Sequence, residues 1–538
     1  MPVRPIISPS PATTCISNSN PYMKSKISFW LPAIVLLAGC SNGVLNVIPQ
    51  PLEANVSSSV CDPASFTAVC PADADAGFAA ALLCKAFPGL ETVGNASGKG
   101  VITISTGAAA APESYELKTS KKKISIVAAD KAGAIWAAQT LIQEARNGGV
   151  LIGTIKDQPR YSWRGHMLDE SRHFMGEDYV MELIDRLSSL KMNIFHWHLT
   201  DAPGWRIEID KYPKLTEIGS IGCHSNPEAS SRYYTKEQIR RIVAHADSLG
   251  VTIVPEIDMP GHGTASNRSY PEYSGGGNNF TFNPGVEGVY GYLTDIIREV
   301  DELFPGKYFH IGGDEVSHGS KSWSTDPNIC ALMKREGFTD IHDAEAYFVN
   351  RMADSVKVLG RTMMGWDDML ACNPDPENTV FTWWRHNKPE NLRTALDKGH
   401  KVVLCPRLPC YFDFIQDSTH VCGRVWPGGK FCPLDHVYAF PDCDMESWEL
   451  TPGSEDGILG FQANLWTELV HTVYRAEFMT FPRIEALSEA CWTAAELKDW
   501  DSFCRRMEYE YAYLDSLGIN YFDHRDPARH AEPLGPFN

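Results

Sequence analysis

Eight short apolar runs recur between residues 165 and 465, and they constrain the fold more than any other feature of the chain. Helical patterns separate several of them, for example Tyr179–Leu190, Thr235–Leu249 and Ala344–Leu359. Repeated strand-then-helix units predict an α/β fold with a closed parallel barrel, the (β/α)8 TIM barrel, over residues 158–500. The predicted strands are Gly165–Leu168, Met192–Trp197, Val251–Ile257, Tyr308–Ile311, Thr362–Trp366, Val380–Trp384, Lys401–Leu404 and Ile458–Leu465.

The residues before the predicted barrel have a different pattern. Within residues 44–157, alternating segments such as Gly100–Ser105 indicate strands, and Lys131–Ala145 has apolar residues at helical spacing. We therefore expect a small α+β domain there, and its sequence contains no catalytic constellation. Residues 501–538 are predicted to form a C-terminal helix and tail that pack on the barrel.

The first 43 residues have the features of a targeting segment. Lys24 and Lys26 precede an apolar run, Ile27–Ala38, that is too short to span a bilayer, and small residues follow it. This pattern predicts a signal peptide that starts at Met1 or Met23. The protein would then travel the secretory pathway to a lysosome, to a vacuole or out of the cell.

An alternative rests on Leu37-Ala38-Gly39-Cys40, which resembles a bacterial lipobox. On that interpretation Cys40 carries a lipid that anchors the protein in a bacterial envelope, and only then is the membrane a partner. Sequons, which fit the secretory route, occur at Asn55, Asn95, Asn267 and Asn279.

The net charge and the cysteine content limit which partners and metal sites are expected. A formal charge of −19 over 538 residues is opposite to the basic footprint of a nucleic-acid-binding protein, so no nucleic-acid partner is expected. Thirteen cysteines follow Cys40 without a C-x-x-C pair, which disfavours a zinc site. If the chain is exported, a cluster of five cysteines in its C-terminal third predicts disulfides between loops. The cluster consists of Cys405, Cys410, Cys422, Cys432 and Cys443.

Polar and aromatic side chains follow the predicted strands at their carboxyl ends, where a parallel barrel carries its chemistry. Aromatic rings stack on the apolar face of a pyranose, and Asp, Glu and Arg bind its hydroxyls, so this mixture indicates a sugar. For Trp383 alone, core packing is the favoured interpretation. The groups are Asp169 to His173, His196 to Asp201, Glu256 to His262, Asp314 with Glu315, Trp366 to Asp368, Trp383 to Arg385, Tyr411 to Asp413, and Trp466 to Glu468.

The fourth predicted strand leads into the most specific group. Its apolar residues end in Gly312 and Gly313, and Asp314 and Glu315 follow at once. Glycines permit a close approach of backbone or substrate where a Cβ would clash. An Asp-Glu pair by itself more often opens a surface helix, where it complements the helix dipole. The two glycines and the strand in front favour a catalytic pair instead.

The second predicted strand offers a metal-dependent hydrolase as the alternative, because it ends in His196 and His198. Such a site also requires histidines from later strands and an aspartate after the last one. The later strands end mostly in Trp and Tyr, and the eighth is followed by Trp466 and Glu468. We therefore favour hydrogen bonding by both buried imidazoles, and we expect neither a metal nor another cofactor.

Together these segments resemble glycoside hydrolase family 20, the β-N-acetylhexosaminidases, from Gln158 to Ala494. The resemblance implies an exo-acting, retaining hydrolase that releases terminal GlcNAc or GalNAc from glycoconjugates or chitooligosaccharides. Its nucleophile would be the substrate's own acetamido group, through an oxazolinium ion. Homodimers are common in the family, so a homodimer is a further expectation. The motifs are Leu168-Asp-Glu-Ser-Arg-His-Phe, His196-Trp-His-Leu-Thr-Asp, Pro255-Glu-Ile-Asp-Met-Pro-Gly-His, His310-Ile-Gly-Gly-Asp-Glu, Trp366, Trp384, Tyr411-Phe-Asp and Leu465-Trp-Thr-Glu.

The resemblance also implies roles for the matching residues. Glu315 would be the general acid and base, with a pKa raised by the enclosed site and by the charge of Asp314. Asp314 would accept the acetamide N–H, and Tyr411 would donate to the acetamide oxygen. His262 would lie near Glu315 or the ring. The sugar would be surrounded by Trp366, Trp384 and Trp466, and its hydroxyls would be held by Arg172, Asp201, Asp413 and Glu468.

Two motifs depart from the family pattern. Phe412 stands where the family often has Leu, and Thr467 stands where it often has Gly. The contacting positions on either side are kept, so activity is expected. A carbohydrate-binding protein on an inactive scaffold is the remaining alternative. It predicts the loss of Asp314, Glu315 or Tyr411, and all three are present.

Overall fold

The computed structural model of the protein describes residues 43–95, 98–108, 110–274, 279–528 and 530–533. The predicted signal peptide, with both candidate starts and Cys40, lies outside this part of the chain. Within it, no helix has both the length and the apolar character that crossing a membrane requires.

The N-terminal part is a seven-stranded mixed sheet with two helices, and its strand order is β1-β7-β5-β6-β4-β2-β3. Helix α2 begins after Asp130, whose carboxylate accepts a hydrogen bond from the Gly133 N–H at 2.8 Å. The elements are β1 (Glu53–Cys61), β2 (Ala68–Pro71), α1 (Ala74–Ala86), β3 (Glu91–Thr92), β4 (Val101–Ser105), β5 (Tyr115–Thr119), β6 (Lys123–Ala128), α2 (Lys131–Arg146) and β7 (Val150–Asp157).

Eight parallel strands then close into a barrel in chain order, which confirms the predicted fold. Three of the predicted runs, Thr362–Trp366, Lys401–Leu404 and Ile458–Leu465, coincide with strands. The strands are β8 (Trp163–Asp169), β9 (Ile194–His198), β10 (Thr252–Glu256), β11 (Tyr308–His310), β12 (Thr362–Trp366), β13 (Thr379–Trp383), β14 (Lys401–Leu404) and β15 (Ile458–Leu465).

Helices follow the strands and cover the barrel. Helix α5 shows how local sequence sets a boundary, because Thr235 and Gln238 form a reciprocal capping box at its start. The helices are α3 (Glu177–Ser189), α4 (Lys214–Glu217), α5 (Lys236–Ser248), α6 (Thr264–Ser269), α7 (Glu287–Asp301), α8 (Ser317–Ser320), α9 (Pro327–Glu336), α10 (Ile341–Val358), α11 (Pro389–Asp397), α12 (Arg407–Cys410), α13 (Leu434–Ala439), α14 (Val473–Thr480), α15 (Arg483–Trp492) and α16 (Trp500–Leu517).

The interior of the barrel is filled with apolar side chains from the middle of the strands towards their amino ends. Open space therefore lies at the carboxyl ends, where the polar side chains converge. The filling side chains are Trp163, Ile194, Val254, Met364, Val380 and Val403.

A buried ionic network joins the N-terminal domain to the barrel. The ammonium of Lys191 lies 2.9 Å from an Asp157 oxygen and donates to the Tyr115 hydroxyl at 2.9 Å. The Trp492 indole N–H donates to the other Asp157 oxygen, also at 2.9 Å. The charges of the pair compensate each other only while both domains are in place.

We expect Lys191→Met to lower the free energy of unfolding by about 3 kcal/mol, because Asp157 would remain buried without a counter-charge. Urea unfolding of the full chain measures the change. The double variant Lys191→Met/Asp157→Asn should recover part of the loss, since it leaves no buried charge. Lys118→Met, which removes an exposed partner of Glu116, is the matched control. A loss at Lys191 no larger than in the control would contradict the prediction.

Two expectations about modification are corrected by the structure. All thirteen cysteines of the described residues are free thiols, so the predicted disulfides in the Cys405–Cys443 cluster are not formed. Cys405, Cys410 and Cys432 are buried and pack as small apolar side chains. The sequon at Asn267 is also inaccessible, because this side chain is 1% exposed and donates to the Asn279 and Thr281 carbonyls.

Candidate active site

A cavity of about 410 Å³ opens at the carboxyl ends of the barrel strands. Nine of the eleven predicted site residues line it, and Asp201 and Asp413 lie behind its wall. The lining residues are Arg172, His262, Asp314, Glu315, Trp366, Trp384, Arg407, Tyr411, Phe414, Arg424, Val425, Trp426, Pro427, Trp466 and Glu468.

Six aromatic side chains line the cavity, and four of them meet in pairs. The rings of Trp366 and Trp466 lie 5.8 Å apart at 45°, and those of Trp384 and Tyr411 lie 6.3 Å apart and nearly parallel. Carboxylates hold two of the indoles. Trp366 donates to Glu256 at 3.0 Å, and Trp384 donates to Asp368 at 2.7 Å.

The neighbouring Trp383 is buried outside this cavity. Its ring meets that of Trp448 edge-on, 5.5 Å away. Consecutive residues of an extended chain point to opposite faces, so of these two tryptophans only Trp384 faces the cavity.

The acidic pair is positioned by the two glycines that follow β11. Gly312 and Gly313 have φ values of +68° and +87°. A Cβ on Gly312 would lie 1.9 Å from an Asp258 oxygen, so no side chain fits there. Glu315 itself adopts a left-handed backbone with φ of +50°, which is uncommon for a residue with a side chain. The turn thus brings both carboxylates to one wall of the cavity.

Asp314 is the more deeply buried acid of the pair. Burial raises its pKa to about 7, and the nearby charges of Asp368, Glu256 and Glu315 act in the same direction. His262 opposes this rise, because its Nε2 lies 3.4 Å from an Asp314 oxygen.

Glu315 behaves in the opposite way, so the expectation of a raised pKa is wrong for this structure. A hydrogen bond from His262, whose Nε2 lies 3.5 Å away, holds the pKa of Glu315 below its ordinary value. The His318 Nδ1 lies 3.6 Å from the same oxygen. The Glu315 side chain is 38% exposed, so burial is too weak to outweigh the two imidazoles.

Asp201 supports the site from behind. Its side chain is 1% exposed, and its oxygens lie 2.8 Å from Arg172 Nη2 and 3.0 Å from His262 Nδ1. Burial would raise the pKa of Asp201, but Arg172 and His262 outweigh it and hold the pKa well below the ordinary value. Asp201 therefore orients the groups that face the cavity, and the structure gives it no direct path to a sugar hydroxyl.

Asp413 and Glu468 form one end of the site with an arginine that sequence reasoning missed. Arg424 Nε lies 2.8 Å from Asp413, and Arg424 Nη2 lies 2.7 Å from Glu468. Asp413 is 2% exposed, and burial raises its pKa to about 7. Arg424 belongs to an irregular loop, and no local pattern in the sequence marks it.

His196 and His198, the histidines of the metal-dependent alternative, contact one buried carboxylate together with a third histidine, His310. Glu256 lies 2.9 Å from His196, 2.7 Å from His198 and 3.1 Å from His310. Burial would raise the pKa of Glu256, but the imidazoles outweigh it and hold the pKa well below its ordinary value. Glu256 in turn accepts the Trp366 N–H, so the cluster fixes an aromatic wall of the cavity.

Comparison with known proteins decides the family. Residues 161–495 match Glycosyl hydrolase family 20, catalytic domain, and residues 44–158 match Glycosyl hydrolase family 20, domain 2. The chain belongs to glycosyl hydrolase family 20. A β-hexosaminidase of Porphyromonas gingivalis is 33% identical over 89% of this chain. The chain spans 64% of the length of that relative and 64% of a Vibrio furnissii β-hexosaminidase, which is 34% identical over 70% of this chain.

Solved family 20 structures have the same fold. The Vibrio harveyi exo β-N-acetylglucosaminidase in complex with N-acetylglucosamine has a TM-score of 0.81 and 31% identity, covering 90% of this chain and 80% of that one. A mutant Streptomyces plicatus β-hexosaminidase in complex with GlcNAc has a TM-score of 0.75 and 26% identity, covering 89% and 97%.

Two further cavity residues of this family 20 chain, Arg407 and Trp426, escaped the sequence analysis. Asp368, which holds Trp384 from behind, belongs to a strand-end group that the sequence marked, but no role was predicted for it. Arg407 and Trp426 come together only through long-range folding, and their spacing in the sequence carries no signal.

Proposed function

We propose that the protein is an exo-acting, retaining β-N-acetylhexosaminidase that hydrolyses terminal GlcNAc or GalNAc by substrate-assisted catalysis. The observation that carries the proposal is the adjacent pair Asp314 and Glu315 on one wall of a small aromatic cavity. Of two carboxylates on the same wall, one can serve as the general acid and the other can orient the substrate's acetamido group. Family membership and the sugar complexes of the two relatives support the same activity.

The first step forms the oxazolinium ion. The substrate's acetamide oxygen attacks the anomeric carbon, while Asp314 accepts the acetamide N–H and stabilises the positive charge that develops. Tyr411 donates to the acetamide oxygen. Burial raises the pKa of Tyr411 well above its ordinary value, so its hydroxyl remains a donor.

Glu315 moves the proton. It protonates the glycosidic oxygen as the bond breaks, and it then takes a proton from the water that opens the oxazolinium ion. The second attack at the anomeric carbon restores the original configuration. A bound substrate removes water from Glu315, and this desolvation raises its pKa towards the value that a general acid requires.

A second group of charged side chains in the cavity suits the non-reducing end of one sugar. Arg172, Arg424 and Glu468 form this group, and Asp413 lies directly behind it. These groups match the donor and acceptor pattern of ring hydroxyls, and the buried charges behind them leave no room for a further residue of a chain. This favours exo action.

The deciding experiment compares release of 4-nitrophenol from the β-N-acetylglucosaminide and from the β-glucoside, with and without EDTA. We expect turnover of the N-acetyl substrate only, unaffected by EDTA. Equal turnover of the glucoside would remove the acetamido group from the mechanism. Loss of activity with EDTA would favour the metal-dependent alternative, and sugar binding without turnover would favour a lectin.

We expect Tyr411→Phe to lower kcat by about 10²-fold, since one hydrogen-bond donor to the reacting oxygen is lost. The ring and its packing against Trp384 are kept, so KM should change little. Steady-state kinetics with the nitrophenyl substrate measure both constants. Tyr474→Phe, at an exposed tyrosine on α14, is the control. An unchanged kcat in Tyr411→Phe would take this residue out of the mechanism.

A further inference from the structure

We propose that Arg407 makes the leaving-group side of the cavity selective for an acidic neighbour, an N-acetylhexosamine linked to a sugar that carries a carboxylate. The inference rests on the proposed hydrolase activity and names the class of aglycone that this site takes. It concerns a side chain to which the mechanism above gives no role.

Arg407 lies between two aromatic side chains of the cavity. Its guanidinium carbon is 4.5 Å from the centre of the Trp384 ring and 4.3 Å from that of Trp426. Trp384 and Trp426 both line the cavity, and Trp426 also contacts His386, which does not line it, with ring centres 4.6 Å apart. Arg407 is therefore held between two aromatic walls of the cavity.

Arg407 is placed on the side of the leaving group by its nearness to the general acid. Glu315 must face the glycosidic oxygen, and the next sugar continues from that oxygen. Arg407 lines the same cavity, where burial lowers the pKa of its guanidinium and the charge of Glu315 acts to raise it. A leaving sugar beside Glu315 would therefore come within reach of Arg407.

The charges around the cavity single out Arg407. Arg172 pairs with Asp169 and Asp201, and Arg424 pairs with Asp413 and Glu468. Arg385, beside Trp384, pairs with Asp367 and Asp368 in the same way.

Arg407 has no such counter-charge: among the described residues no carboxylate lies within ion-pair distance of its guanidinium. Its Nη2 donates to the Asn387 side chain at 2.9 Å, and its buried Nε has no hydrogen-bond partner there.

An unmatched guanidinium in a half-buried cavity favours an anion. Its planar fork of N–H groups fits a carboxylate with two parallel hydrogen bonds, and such charge-assisted bonds are about twice as strong as neutral ones. The flanking indole rings stabilise the cation without neutralising it. In a protein of net charge −19, long-range repulsion would weaken the binding of acidic substrates. A cation at the point of contact offsets this repulsion. A hexuronic acid as the leaving sugar meets these conditions.

The test compares two disaccharides, GlcNAc β-linked to glucuronic acid and GlcNAc with the same linkage to glucose, which differ only in the carboxylate. We expect the kcat/KM ratio of acidic to neutral substrate to exceed one. Arg407→Gln should lower that ratio by about tenfold, and Arg407→Lys should keep a larger part of it. Rising salt should lower the ratio in the native protein. Lys430→Met is the control, because this cation lies in the loop that carries Trp426 and does not line the cavity.

Two results would overturn the proposal. A native ratio of one or less would show no selectivity for the acid. An equal loss on both substrates in Arg407→Gln would make Arg407 a support for Trp384 and Trp426 only. Failure of the proposed hydrolase activity looks different, because the native protein would then leave the neutral disaccharide uncleaved as well.

Discussion

Glu315→Gln is expected to lower kcat on chitobiose by about 10³- to 10⁴-fold, because the glycosidic oxygen would leave without a proton. On 4-nitrophenyl β-N-acetylglucosaminide the loss should be smaller, since nitrophenolate is a stable leaving group. The amide keeps the size of the side chain, so the left-handed turn at Glu315 remains. The two substrates together separate the loss of an acid from a general loss of the site.

Steady-state rates of the two substrates give the answer, and Glu237→Gln on the exposed face of α5 is the matched control. Equal losses on both substrates would contradict a general-acid role and point to a distorted site. A residual rate close to native on chitobiose would transfer the acid role to another group.

Asp314→Asn should lower kcat on N-acetyl substrates by about 10³-fold, because an amide cannot stabilise the positive charge of the oxazolinium ion. KM should rise less, since an Asn oxygen still accepts the acetamide N–H. Single-turnover rates measure the chemical step directly. Glu237→Gln is the control for this variant as well. A loss confined to KM would contradict the charge-stabilising role.

The pH dependence of kcat/KM gives a second test of the same variant. The productive pair holds one proton, with Asp314 ionised and Glu315 protonated. Below the pKa of Glu315, which His262 holds below its ordinary value, both acids are protonated, and above about 7 neither is. The native profile should therefore be a bell between these limits. In Asp314→Asn the group that titrates near 7 is gone, so the basic limb should move down towards the pKa of Glu315. If the basic limb of the kcat/KM profile stays near pH 7 in Asp314→Asn, a group other than Asp314 is responsible for it.

The barrel was predictable because its strands are short, buried on both faces and separated by helices. The sequence therefore alternates between apolar runs and helical patterns, and this alternation can be recognised without knowing how the loops fold. The acidic pair was predictable for the same reason, since Asp314 and Glu315 come shortly after β11, behind Gly312 and Gly313. The cysteine cluster misled because cysteine is both a disulfide former and a small buried side chain, and only the packing separates the two.

Other features of the site depend on distances that no local pattern encodes. The pKa of Glu315 is set by His262 and His318, of which His262 comes from a different strand end. The place of Asp201 behind the wall follows from Arg172 and His262, which occupy the space in front of it. Arg407 meets Trp426 across a loop, so its unmatched charge becomes visible only in three dimensions.

The buried network between the two domains limits how the protein can be divided. A fragment that starts at Gln158 would keep Lys191 but lose Asp157, and it would keep Arg164 but lose Glu113, which now lies against its guanidinium. Lys191 and Arg164 would then lose the carboxylates that neutralise them. The N-terminal domain, none of whose described residues lines the cavity, thus supplies the carboxylates that neutralise two cations of the barrel. Protein engineers who graft this barrel onto another module would have to carry the sheet with it or replace both cations.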